Sequence, residues 1–236
     1  MSYENTARSL DRLGVRHPAV ALAIVEAPPA GLPVETRTAI SSCAFWRRAE
    51  SEVFYATAQA HQGCAVGAYV MGLPRSAGAQ AELADTVALM CGQGYLREDE
   101  IPSIPRVARA GGGVVYGPLE RFPGTADCAL AWVEPAQAMV LGEALGTTAW
   151  TGHAPGGTRL TGRPACAALA RATNDAQESL SLGCAGMRTF TGIAPALALF
   201  VIPAHALATL AGKLDRMLVS NEAMLAHYRE RRGNAR

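Results

Sequence analysis

The chain has 236 residues, half of them apolar and 17% charged, with 21 basic and 20 acidic side chains and a formal net charge of +1. That length can bury a substantial core, and so even a balance provides no overall field for nucleic acid or an anionic membrane, so neither is expected as a partner. Charge is also sparser than the roughly 25% usual in globular domains, so part of a small-residue-rich surface is expected to be covered, and a homo-oligomer is anticipated.

The longest apolar run, residues 193–202, is far short of the roughly 20 residues that cross a bilayer, and residues 1–16 are polar, so a cytoplasmic location is expected. Six cysteines in this length are not a disulfide scaffold. A reducing compartment keeps them as thiols unless a metal or a catalytic task uses them.

In chain order, residues 3–13 place Ala7, Leu10 and Leu13 at helical spacing, and Gly14 ends the helix. Residues 19–26 form an apolar run between Pro18 and Pro28-Pro29, the pattern of a buried strand. Residues 43–50 read as helix, 53–57 as strand and 64–73 as a Gly-interrupted segment. Residues 77–95 read as a longer helix with Leu83, Val87, Met90 and Cys91 spaced for one face. Residues 98–112, with Pro102, Pro105 and the start of Gly111-Gly112-Gly113, are the most linker-like stretch.

Strands are expected at 113–119 and 128–133, then a helix opened by Glu134-Pro135, since proline suits the first helical turn. Residues 147–164 are a Gly/Thr-rich loop, 165–172 a short helix and 197–202 a buried strand. Pro203 opens a long terminal helix over 204–231, and the basic cluster that closes it, Arg229, Arg231, Arg232 and Arg236, is expected to offset the negative end of the helix dipole. The expected fold is mixed α/β (α+β), a single domain over 1–236 with a sheet covered by helices.

The chain carries an internal likeness. Ala-Leu-Ala-Ile-Val-Glu at 21–26 matches Ala-Leu-Ala-Trp-Val-Glu at 129–134 in five of six residues. Downstream, Cys43-Ala44 answers Cys166-Ala167, and Gly63-Cys64-Ala65 answers Gly183-Cys184-Ala185. Two pseudo-repeated halves, about 17–97 and 113–203, are therefore expected, and packing about a pseudo-two-fold axis would bring equivalent positions together.

Four thiols would then converge: Cys43, Cys64, Cys166 and Cys184. Thiolates are soft ligands, and four of them suit an iron–sulfur cluster of the 4Fe-4S type, with tetrahedral zinc as the alternative. Gly67 and Gly186 would let backbone amides approach the sulfurs, while Arg47 and Arg188 would balance charge or hold an anionic group. The leading expectation is a thiolate-ligated metal protein for electron transfer or redox chemistry on a small molecule, working with a redox partner protein or that substrate. Competing expectations are a non-catalytic small-molecule binding or assembly protein with packing cysteines, and a cysteine-nucleophile enzyme. No spacing here is the tight Cys-x-x-Cys of a metal knuckle.

Cys91 and Cys128 lack counterparts in the other half and read as packing residues. His61, three residues before Cys64, reads as a loop histidine rather than a ligand. Trp46, Trp132 and Trp150 read as core or pocket-lining aromatics. No phosphate-binding glycine motif and no Gly-x-Ser-x-Gly elbow occurs, so nucleotide binding and serine hydrolysis are unsupported.

Six motifs carry a family likeness: Cys43-Ala-Phe-Trp-Arg-Arg-Ala49, Cys64-Ala-Val-Gly-Ala-Tyr-Val-Met-Gly-Leu73, Val115-Tyr-Gly-Pro-Leu119, Glu134-Pro-Ala-Gln-Ala-Met139, Gly162-Arg-Pro-Ala-Cys166 and Ser181-Leu-Gly-Cys-Ala-Gly-Met-Arg188. Through them most of the chain resembles the uncharacterised Cys-rich family called domain of unknown function 169, or ArCR. The resemblance implies that the four cysteines belong to family motifs, and it transfers no activity. The chain departs from the pattern at Met187, where the resemblance implies a small polar residue.

Overall fold

A computed structural model of the chain describes residues 2–146, 159–161 and 165–234. Eight strands form one mixed sheet: β1 (Val20–Val25), β2 (Val34–Glu35), β3 (Phe54–Thr57), β4 (Gly113–Pro118), β5 (Cys128–Val133), β6 (Arg159–Thr161), β7 (Ser179–Ser181) and β8 (Ala198–Pro203). The helices are α1 (Glu4–Arg12), α2 (Ala44–Arg48), α3 (Ala65–Val70), α4 (Ala77–Gly92), α5 (Pro135–Leu145), α6 (Ala167–Asp175), α7 (Ala185–Thr191) and α8 (Ala204–Asn234). None of the described helices is long and apolar enough to cross a membrane. The mixed α/β class expected from the sequence is the class observed.

The sheet order is β2-β3-β4-β1-β5-β8-β7-β6. At each end the outermost pair is parallel, β2 with β3 and β6 with β7, while the intervening pairs and the central β1–β5 ladder are antiparallel. Read inward from either edge, the elements therefore follow one sequence of roles.

Strands buried on both faces read as continuous apolar runs, and β1, β5 and β8 do so here. Their alternate side chains feed two cores, because successive residues of a strand point to opposite faces. On one face Leu22, Ile24, Leu130, Trp132, Leu199 and Val201 pack with Phe45 and Trp46 of α2 and Leu169 of α6. On the other, Ala21, Ala23, Ala129, Ala131, Phe200 and Ile202 pack against Leu10 of α1, Leu141 of α5 and Leu207, Leu210 and Leu214 of α8. The result is a three-layer arrangement, helices on both sides of the sheet.

Alanine on the second face lets α5 and α8 approach closely, and α1 is fastened to α8 by polar contacts. Thr6 Oγ1 donates to Leu207 O at 2.8 Å and Ser9 Oγ to Asp215 Oδ1 at 2.7 Å, with Arg12 paired to the same carboxylate. Asp127 ties the sheet together ahead of β5: its carboxylate accepts from Ile24 N at 2.7 Å and pairs with Arg109.

Residues 98–112, linker-like in composition, hold a 3-10 helix, Glu98–Ser103, and then run across the first face. There Val107 is buried and Asn174 of α6 clamps the chain, accepting from Ala108 N at 3.0 Å and donating to Arg106 O at 2.7 Å. Most of the Gly/Thr-rich stretch at 147–164, with Trp150, lies outside the described residues; Arg159–Thr161 within it forms the edge strand β6.

Candidate functional site

The first face of the sheet carries four helices that each begin one residue after a cysteine. Cys43 precedes α2, Cys64 precedes α3, Cys166 precedes α6 and Cys184 precedes α7. All four line one cavity of about 1340 Å³. Residues far apart in the chain thus share a wall because α2 and α3 come from one end of the sheet and α6 and α7 from the other.

The two members of each pair differ in depth. Cys43 and Cys166 are buried and belong to the apolar core, whereas Cys64 and Cys184 are half-buried at the cavity surface. Burial raises the Cys43 thiol to about 11, with the neighbouring Cys64 and Cys184 pushing the same way and the Ser41 hydroxyl, 2.8 Å from Cys43 Sγ, pulling it down. Burial also holds Cys166 well above the usual thiol range, reinforced by Cys64, Cys184 and Cys43. Each of the four sulfurs thus falls within electrostatic reach of others in the set.

Backbone comes close to two of them, with a hydrogen bond at one. The N–H of Met187 donates to Cys184 Sγ at 3.4 Å. Gly67 sits where a Cβ would lie 2.7 Å from Ser42 Oγ and 2.9 Å from Cys64 Sγ, so only glycine lets α3 pack this closely beside the sulfur. Gly186, by contrast, faces open space. Ser42 is itself buried, lines the cavity and has no hydrogen-bond partner for its hydroxyl. Among the described residues no three His, Cys, Asp or Glu side chains stand in ready metal-binding geometry.

The two expected arginines lie elsewhere. Arg47 turns to Glu50 and His17, and Arg188 donates to Leu182 O at 2.6 Å and Ala194 O at 3.1 Å, so neither belongs to the cavity wall. Their nearness in sequence to a cysteine did not fix direction; a helix turns about 100° per residue, and the basic side chain on the wall is Arg171, one turn into α6. Nothing in the sequence distinguished Arg171 before its helix was placed.

The remaining candidates are buried residues, of which Trp46 and Met187 also line the cavity. Cys128 is fully buried in β5, its thiol raised by burial to about 12. His61 is also fully buried rather than in an open loop: its Nδ1 bonds to Thr57 O at 2.8 Å and its Nε2 to Tyr116 Oη at 3.1 Å, and its ring lies against Phe45. Burial lowers it to about 4, which keeps the imidazole neutral. Trp46 and Trp132 pack together with ring centroids 6.2 Å apart. Met187 is buried in the core, with Thr191 Oγ1 3.5 Å from its sulfur.

No curated protein and no solved structure matches the chain. The model of the uncharacterised ArCR family, domain of unknown function 169, matches residues 10–212, a span that holds all eight strands and all four cavity cysteines. The chain belongs to that family.

Proposed function

We propose that the chain is a thiolate-ligated metal protein, with Cys43, Cys64, Cys166 and Cys184 as ligands to an iron–sulfur cluster, serving electron transfer or redox chemistry on a small molecule. The observation that carries this reading is the presence of four thiols on one cavity wall, each at the start of a different helix. Burial and the neighbouring sulfurs both disfavour the thiolate at Cys43 and Cys166, and a soft cation offsets both costs at once. Zinc is the alternative occupant for the same donor set. The likeness of roles read from either edge of the sheet supports a duplicated origin, in which each half supplies one buried and one half-buried cysteine.

The proposal includes a reducing, cytoplasmic setting, supported by six free cysteines. It also includes a homo-oligomer. Along α8 the residues Leu207, Leu210, Leu214, Met217, Asn221, Met224 and Tyr228 alternate in steps of three and four, the heptad spacing of a coiled-coil seam. The first three are buried in the body, while Met224 and Tyr228 are exposed, so the same stripe runs on into solvent. Asn221 occupies a seam position where a buried asparagine sets register between like helices, which favours a second copy of this chain.

The test is anaerobic purification followed by iron, sulfide and zinc analysis of the protein and of Cys64→Ser/Cys184→Ser. Stoichiometric iron and sulfide with a visible charge-transfer band, lost in the double variant, is the expected result; full metal content in the double variant overturns the assignment. A second reading, a small-molecule binding protein with packing cysteines, draws on the core burial of Cys43 and Cys166. Metal-free protein from the same preparation supports it.

A further inference from the structure

Helix α4 is 16 residues long, yet Ala79 is its one buried side chain and none of its residues belongs to either core. Its ends are nevertheless fastened. At the start, Gln62 Oε1 accepts from Ser76 N at 3.0 Å and Ser76 Oγ at 3.1 Å, and Ser76 Oγ accepts from Ala79 N at 3.2 Å. Just past its end, Tyr95 Oη accepts from Ala185 N at 3.3 Å, at the first residue of α7. Between these anchors Leu83, Val87 and Met90, spaced for one helical face, line the same cavity as the four cysteines.

The chain reaches this roof by an excursion made at one end of the sheet only. At the other end, residues 192–197 take the chain from α7 directly to β8, whereas residues 71–112 separate α3 from β4 and contain α4 and the 3-10 helix. Tyr69, Ile104 and Phe190 continue the apolar lining. The charged side chains on the wall are Glu82, Glu100 and Arg171; Arg171 lies 3.6 Å from Asp175 and Glu100 lies 3.5 Å from Arg97. Among the described wall residues there is no spare cation for an anionic head group. Two lining side chains carry a buried polar atom without a hydrogen-bond partner, Trp46 Nε1 and the Ser42 hydroxyl, and the hydroxyl is the one beside Cys64.

We infer that residues 77–105 form the roof of a binding site for a neutral, mostly hydrocarbon molecule bearing a carbonyl oxygen, such as a quinone, with Ser42 donating to that oxygen at the cysteine end of the cavity. A largely apolar cleft of this size, with few polar groups, is the form small-molecule sites take, and a buried hydroxyl without an acceptor marks where the ligand's polar end lies. The inference deepens the metal-protein reading by naming the substrate class, but binding itself does not depend on a metal.

The test is a fluorescence titration of the full chain with Nile red, a neutral apolar dye, followed by displacement with menadione, a neutral quinone, or with decanoate, an apolar anion. Saturable binding of one dye per chain is expected, displaced by menadione at concentrations about tenfold below those needed for decanoate. Val87→Trp and Leu83→Trp, which fill the space from the roof, weaken the dye about tenfold or more, while Ala88→Lys, off the cavity wall, leaves it unchanged; circular dichroism confirms that each variant is folded. Ser42→Ala weakens displacement by menadione and not by naphthalene, the same ring system without carbonyl oxygens. Non-saturable dye binding, indifference to both tryptophan variants, or preferential displacement by decanoate overturns the inference. Because Cys64→Ser/Cys184→Ser removes metal in the earlier reading but leaves the roof intact, retained dye binding in that variant separates failure of one proposal from failure of the other.

Discussion

Cys43 and Cys166 each stand one residue ahead of a helix on the same face of the sheet, one toward either end, and the two are equally shielded at 8% exposure. Cys64 and Cys184 form the matching half-buried pair. Alkylation of metal-free protein should follow that division. Iodoacetamide labelling read by peptide mass spectrometry is expected to modify Cys64 and Cys184 well before Cys43 and Cys166, since reaction requires both access and thiolate, and burial withholds both from the deeper pair. Equal labelling of all four would contradict the arrangement.

Gly67 and Gly186 make a paired test of close approach. Gly67→Ala drives a methyl group against Ser42 and Cys64 and is expected to cut retained metal by half or more, measured as metal per chain. Gly186→Ala meets no neighbour within 4 Å and sits inside α7, so it should keep full metal and stabilise the protein by up to about 1 kcal/mol, read from a denaturant melt. The reverse ranking would show that backbone approach at α3 is not what the centre needs.

Acid should weaken the fold through His61. Its folded value near 4 lies below the ordinary 6.5, so the imidazole is neutral in both states at neutral pH, and the unfolded chain takes up the proton first as pH falls. Stability is therefore lost between pH 6.5 and about 4, by about 2 kcal/mol at about pH 5. Urea melts at about pH 7.5 and about pH 5 should show that drop, and His61→Gln, less stable at neutral pH, should show a smaller one.

For the exposed seam of α8, light scattering coupled to size exclusion should report a dimer or larger assembly at micromolar concentration. Met224→Lys with Tyr228→Lys places charge on the seam and is expected to give monomers with an unchanged melting temperature of the body, because both side chains are exposed there. A monomeric parent protein would remove the proposal.

The parts of the fold that could be read in advance are those with a strong local signal. Strands β1, β5 and β8 announce themselves as apolar runs, and α5 by Glu134-Pro135 with Gln137 returning to cap it, Gln137 Oε1 accepting from Glu134 N at 2.8 Å. Strands β2, β6 and β7 are two or three residues long and owe their existence to neighbours in the sheet, so no periodicity could reveal them. The prolines and glycines of residues 98–112 look like a tether, yet Val107 is buried and Asn174 holds the segment down, a long-range contact that composition does not encode.

The same distinction governs the site. The four cysteines were visible because they recur in matching words, but Leu83, Val87 and Met90 looked like an ordinary core-facing stripe, and the absence of any core beneath them appears only in three dimensions. Arg47 and Arg188 are adjacent to cysteines in sequence only, because local helix direction turns both to other partners.

The one-sided excursion that builds α4 has a further effect. With α4 attached at one end of the sheet only, the cavity lining differs from one end to the other, so a guest would meet different neighbours in its two orientations.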